Sequence, residues 1–252
     1  MEIQKFLEDF KKFLIENSDK ERAKWDKQYL YSDLIHHGIT SPIAKEFNRR
    51  WKKELATLSK YEMLKLANNL WNKKSFSEKN MALNILNLHV EKLDIKDMPL
   101  IEKIMRESRG WALLDSSIIP FMPHLLQKDR RIYSYLKKWI NDNDFWVRRS
   151  AILSQLLFFR KGVGGDKKLF FEFAERQFDE SWINKIYKDK LQNKRAKFFI
   201  RKAIGWTLRD MSLKDPQSVF NFLKENRNKM SGLSFREGSR KLSKDLQEKL
   251  KK

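Results

Sequence analysis

Apolar residues recur at three- and four-residue spacing along nearly the whole chain, and the strict apolar–polar alternation that makes half-buried strands is scarce. The spacing predicts helices over residues 2–16, 19–36, 42–55, 60–73, 77–90, 97–107, 109–118, 120–126, 130–140, 144–159, 166–178, 181–191, 195–211, 215–225 and 233–250. Breakers fall between them: Gly38 with Ser41-Pro42, Pro99, Pro120 and Pro123, the glycines from Gly162 to Gly165, and Pro216. With 8 glycines and 5 prolines in 252 residues, the chain has few other places to turn. The expectation is an all-α protein.

One stretch repeats. Phe145-Trp146-Val147-Arg148-Arg149-Ser150 reads against Phe198-Phe199-Ile200-Arg201-Lys202-Ala203, 53 residues later, and both put paired cations after bulky apolar residues. Short helices with an internal echo predict a curved α-solenoid of HEAT-like repeats, with room for five or six helical pairs at roughly 40 residues each. The whole chain, 1–252, is read as one such domain; a non-repetitive helical bundle is the plainer alternative.

Charge narrows the partner. Lys and Arg number 54 against 33 Asp and Glu, a net +21 spread along most of the chain, while 41% hydrophobic content is enough to build a core. A folded body with this excess suits a polyanion, nucleic acid first, because phosphate neutralisation releases counterions. The basic residues are expected on the concave face. An anionic membrane surface is a weaker alternative. There is no cysteine, so no disulfide and no thiolate metal site. His36, His37, His89 and His124 form no ligand spacing, and no metal or other cofactor is expected. The amphipathic, acid-bearing N-terminus is unlike a signal peptide, and no apolar run is long enough to span a bilayer. A soluble monomer in the cytoplasm, nucleoid-associated when bound to DNA, is the corresponding expectation.

Two constellations invite chemistry. Trp111 and Asp115 lie four residues apart in GWALLDSS and share a helix face. An acid there repels DNA but stabilises a developing positive charge and can orient a water. A capping or paired Asp beside a core Trp would give the same text. Lys202, Trp206 and Arg209 fall at i, i+4 and i+7 on one stripe, which suits a sugar–phosphate backbone: cations on phosphates, indole on a sugar or base. An amphipathic helix with a core Trp and snorkelling cations is the structural alternative. Arg149 holds the repeat position of Lys202, and its neighbour Arg148 completes the cation pair. Segment 185–202 carries eight cations against Asp189 alone, a pattern typical of a solvated helix face that here leads to Trp206. The GVGG at 162–165 lacks the Gly-Lys-Ser/Thr ending of a phosphate loop and reads as a flexible connection.

GWALLDS, DFWVRRSAILSQL, KFFIRKAIGWTLRD and LSFREGSRKL together resemble the HEAT-like-repeat DNA alkylation repair glycosylases of the AlkD type, over most of the chain. The resemblance implies a curved helical solenoid that cradles duplex DNA carrying alkylated bases. It also implies a monofunctional, metal-free enzyme that hydrolyses the N-glycosidic bond of cationic N3- and N7-alkylated purines. On that resemblance Trp111 matches the first aromatic, Asp115 the catalytic acid, Arg149 the Arg of W-x-x-R and Trp206 the second aromatic. Tyr29, in QYLYSDLIHHGI, matches a tyrosine near the DNA. Two departures stand out: Ala112 replaces an Asp that some relatives carry after the first Trp, and the stretch 160–195 is longer. The competing readings are a non-catalytic HEAT-like protein that binds unusual or branched DNA, and a helical scaffold for RNA or an acidic protein.

Overall fold

A computed structural model describes residues 2–108 and 110–251, and among these the fold is all-helical. Among them the only β-type pairing is an isolated bridge between Ile35 and Ser75, and no helix among them is long and apolar enough to cross a membrane. The chain divides into two compact units, up to and after Ser117.

In the first unit, α1 (Ile3–Glu16) buries Phe6, Phe10 and Leu14 on one face. Phe47 of α3 (Ser41–Ala56) meets that face, its ring 6.2 Å from Phe6 and 5.3 Å from Phe10. α4 (Lys60–Trp71) packs on α5 (Phe76–Leu88). Ser59 and Glu62 start α4 as a reciprocal capping box, satisfying two end N–H groups that would otherwise lack partners. α6 (Met98–Glu107) carries Pro99 in its first turn, where the missing N–H costs nothing. Its Glu107 accepts the indole N–H of fully buried Trp71 at 2.7 Å.

The helix expected over 19–36 is shorter, because α2 spans Lys20–Tyr29. The following backbone is engaged elsewhere: Ile35 N–H donates to Lys74, Phe76 N–H to the carbonyl of Ile35, and Asp19 N–H to that of His37. Gly38, at φ +69°, lies so close to Asp19 that a Cβ would stand 2.1 Å from its carbonyl oxygen.

α7 (Trp111–Lys128) begins in the first unit and contains both Pro120 and Pro123, so the expected break is absent. An interior proline costs about 3 kcal/mol. Ile118, Phe121, Met122 and Leu125, all fully buried, offset that cost around the two prolines.

The second unit holds α8 (Tyr133–Trp139), α9 (Phe145–Leu153), α10 (Leu156–Lys161), α11 (Lys167–Glu175), α12 (Ser181–Ile186), α13 (Lys190–Met211), α14 (Pro216–Glu225), α15 (Gly232–Ser239) and α16 (Lys244–Lys249). Three boundaries differ from expectation, each for a local reason. The 144–159 helix divides at Ser154 and Gln155, whose side-chain amide is bonded to the backbone of Asp166. The cation-rich run breaks after Ile186 and restarts at Asp189, which caps α13 by accepting from Gln192 N–H. The C-terminal helix restarts at Ser243, capping α16.

The two copies of the repeated hexapeptide pack on each other. α9 contacts α13, with the Trp146 and Phe199 rings, at equivalent repeat positions, 4.7 Å apart. α9 also contacts α8 and α11. The broadest helix contact joins α13 to α15, and two glycines permit it. A Cβ on Gly205 would meet Cβ of Glu237 at 2.6 Å, and one on Gly238 would meet that of Leu208 at 3.0 Å. Gly205→Ala is therefore expected to cost about 1–3 kcal/mol through overpacking and to lower the midpoint of thermal unfolding by roughly 2–4 °C per kcal/mol. Circular dichroism melts would check this, and an unchanged midpoint would show that the α13–α15 spacing is not set here.

Candidate nucleic-acid interface

In the first unit, Trp111 occupies the opening turn of α7 and is partly exposed, while Asp115, one turn on, is buried at 8% exposure. The start of α7 is pressed against the end of α2. Gly110 takes φ +113°, and any Cβ there would come within 2.3 Å of the Leu30 carbonyl oxygen. That close approach brings Tyr29 edge-on to Trp111, ring centroids 5.8 Å apart at 85°. Behind Tyr29 the Trp25 ring stacks at 4.6 Å and 13°, and the Arg22 guanidinium lies 4.5 Å from the Trp25 ring centre. α2 buries none of its side chains. Its two rings, 48% and 53% exposed, are thus held by stacking, one on another and on Arg22. Edge-to-face and cation–π geometry of this kind contributes about 0.5–1.5 kcal/mol per pair. The result is an ordered aromatic surface leading to the acid-bearing turn of α7.

In the second unit, the stripe on α13 is as the spacing predicts. Lys202, Trp206 and Arg209 are partly exposed, whereas Ala203, Ile204, Gly205, Thr207, Leu208 and Asp210 are buried. Its cations are already paired. Glu237 of α15 accepts from Lys202 Nζ at 2.8 Å and from Arg209 at 2.6 Å, and Asp210 lies 3.6 Å from Arg209. Burial by itself would raise the Glu237 carboxyl pKa. The bond from Lys202, followed by the charges of Lys202, Arg209 and Arg240, holds it below the usual range instead. Glu237 therefore fixes two cations on either side of Trp206.

Arg149 and Arg148, both read from the sequence as DNA contacts, are both buried and bonded to backbone carbonyls inside the protein. Arg149, 3% exposed, donates to the Phe199 carbonyl at 2.8 Å, reaching α13 less than a turn before Lys202. Arg148 donates to the Asp142 carbonyl at 2.6 Å and to Gln177 at 3.2 Å, and lies 3.6 Å over the Trp182 ring. Burial lowers its pKa to about 10, against opposing pulls from Asp142 and Tyr187. Its repeat counterpart Arg201 is likewise engaged, by Glu180 at 2.5 Å. Lys185, Lys188, Lys190 and Lys194 are exposed, as a solvated cationic face requires. Among the described residues no group of His, Asp and Glu converges to hold a metal ion.

A family model described as DNA alkylation repair enzyme matches residues 10–242. The chain belongs to the DNA alkylation repair enzyme family. A solved structure, a predicted DNA alkylation repair enzyme from Enterococcus faecalis, is 21% identical in sequence and superposes with a TM-score of 0.74 over 90% of this chain and 98% of that one. At that identity the likeness is one of fold. No curated protein matches the chain significantly.

Two residues of this DNA alkylation repair protein escaped the sequence reading. Trp25 lies one helical turn before Tyr29, a spacing visible in the sequence. Glu237 stands 35 residues from Lys202, so only the α13–α15 contact reveals the pair. Glu237→Gln is expected to release both stripe cations and tighten binding to undamaged duplex at low salt, as measured by fluorescence anisotropy. Unchanged or weaker binding would mean that Glu237 orients the cations rather than competing with phosphate. Arg148→Met is expected to lower the unfolding midpoint, because about 1–3 kcal/mol is lost for each buried acceptor left unpaired, while the salt slope of DNA binding stays at the parent value. Lys202→Gln should do the reverse, flattening that slope by about 0.9 if it holds one phosphate.

Proposed function

We propose that this family member is a monofunctional DNA glycosylase for positively charged N3- and N7-alkylated purines in duplex DNA. The observation that carries the reading is the buried carboxyl of Asp115, one turn from a partly exposed Trp111 at the opening of α7, in a chain of net charge +21. A buried acid is a poor device for holding phosphates. It is a good one for a sugar that becomes cationic.

An alkylated purine that already carries a positive charge leaves without strong acid help. The C1′–N bond breaks, its electron pair neutralises the base, and positive charge develops on the deoxyribose as an oxocarbenium-like centre. Asp115 stabilises that charge and orients a water toward C1′. The water's oxygen forms the new C1′–O bond and its proton passes to the carboxylate or to solvent. Trp111 and Tyr29 supply ring surface for the lesion nucleotide. In the second unit Lys202 and Arg209 take backbone phosphates with Trp206 between them, and buried Arg149 steadies α13 through the Phe199 carbonyl. Binding is electrostatic and independent of sequence.

Asp115→Asn tests the reading. Asn is nearly isosteric, so the fold and duplex affinity should persist, while single-turnover release of 7-methylguanine should fall by about 10²–10³. If the parent protein binds duplex DNA but releases no alkylated base, the non-catalytic reading, a HEAT-like protein for unusual DNA, replaces this one. If the folded mutant excises at the parent rate, Asp115 is a structural residue.

A further inference from the structure

The Gly162–Gly165 turn resembles no phosphate loop, yet it is a built element. Gly162 ends α10 at φ +71°, and Gly164 and Gly165 follow at +73° and +81°. A Cβ on Gly165 would come 2.8 Å from the Phe159 ring, so the turn lies tight against that ring. It delivers the chain to Asp166, whose N–H donates to Gln155 Oε1 at 2.5 Å and whose carbonyl accepts from the same amide at 3.3 Å. Thus anchored, the turn and the start of α11 form one wall of a cleft of about 670 Å³. Arg130, Tyr133 and Lys137 form the other.

The cleft is cationic in a way the α13 stripe is not. On the stripe each cation meets a carboxylate. Here Asp166 is occupied in capping α11 through Leu169 N–H, and Lys167 is paired with Asp215. Among the described residues the side chains of Arg130, Lys137 and Lys168 make no hydrogen bond or ion pair, and all three are exposed. Three unpaired cations around one depression repel each other unless an anion sits among them. The Tyr133 hydroxyl adds a donor, and partial burial, with the Asp166 charge, raises its pKa and keeps it protonated. Long exposed cations on two walls suit a chain of phosphates better than a small ligand enclosed by shape. The cleft is carried by α8 and α11, whereas the stripe is on α13; α9 packs against all three.

We infer that this cleft is a second seat for the phosphate backbone of DNA, additional to the α13 stripe. The inference rests on the glycosylase reading only for the premise that the protein binds DNA. It can fail without touching the glycosylase reading, since its test uses undamaged DNA.

The test compares two triple variants of the full chain, Arg130→Gln/Lys137→Gln/Lys168→Gln and a control that removes the same charge from exposed lysines elsewhere, Lys224→Gln/Lys229→Gln/Lys244→Gln. Binding to undamaged plasmid-length duplex is followed against salt, with melts to confirm that both variants fold. The cleft variant is expected to flatten the slope of log K against log salt by about 0.9 for each phosphate lost, and the control is expected to stay near the parent slope. Equal slopes for the two variants would overturn the inference. So would a cleft variant that loses only thermal stabilisation by inorganic phosphate while its duplex binding stays at the parent level, because the cleft would then be a small-anion site. If the cleft variant does not fold, the charge-conserving Arg130→Lys and the single Lys168→Gln carry the same comparison, and a parent slope in Lys168→Gln overturns the inference.

Discussion

How close two backbones can come is the constraint on which both candidate surfaces depend. At Gly110 the end of α2 reaches the start of α7 only because no Cβ intervenes, which places Tyr29 against Trp111. At Gly205 and Gly238, α15 comes near enough to α13 for Glu237 to reach both Lys202 and Arg209. In each case a side chain that looks functional is placed by a position that has no side chain. Removing such a contact would leave every chemical group present and none of them in position.

Net charge alone says little about how such a protein grips DNA. The second unit satisfies its deeper cations internally. Arg148 is held by backbone carbonyls and an indole, and half-buried Arg201 by Glu180. Others remain in water or in open clefts. Only the latter can release counterions when DNA arrives, so the effective charge is set by where carboxylates and carbonyls lie.

Fold class was legible because it rests on periodicity, which the sequence carries directly. The echo at 145–150 and 198–203 was equally plain, and Trp146 packing on Phe199 is its physical meaning. What periodicity could not give were the ends of elements decided by distant partners. Gln155 bonded to Asp166 splits a helix that looks continuous, and a buried surround carries α7 through Pro120 and Pro123. The stripe of Lys202, Trp206 and Arg209 could be read from spacing alone. The commitment of Arg148 to the interior could not, because Asp142, Gln177 and Trp182 reach it only in the folded chain. Glu237 was hidden for the same reason.

The column of Arg22, Trp25 and Tyr29 has an optical consequence. Of the chain's eight tryptophans, Trp71 and Trp139 are wholly buried, whereas Trp25 is 48% exposed on a helix with no buried side chain. Its indole emits from a watery environment, with a cation at one neighbour and a phenol stacked at the other. On the proposed reading a nucleotide arriving at Tyr29 would disturb that stack, and the chain's intrinsic emission would then register occupancy of this surface without any added label.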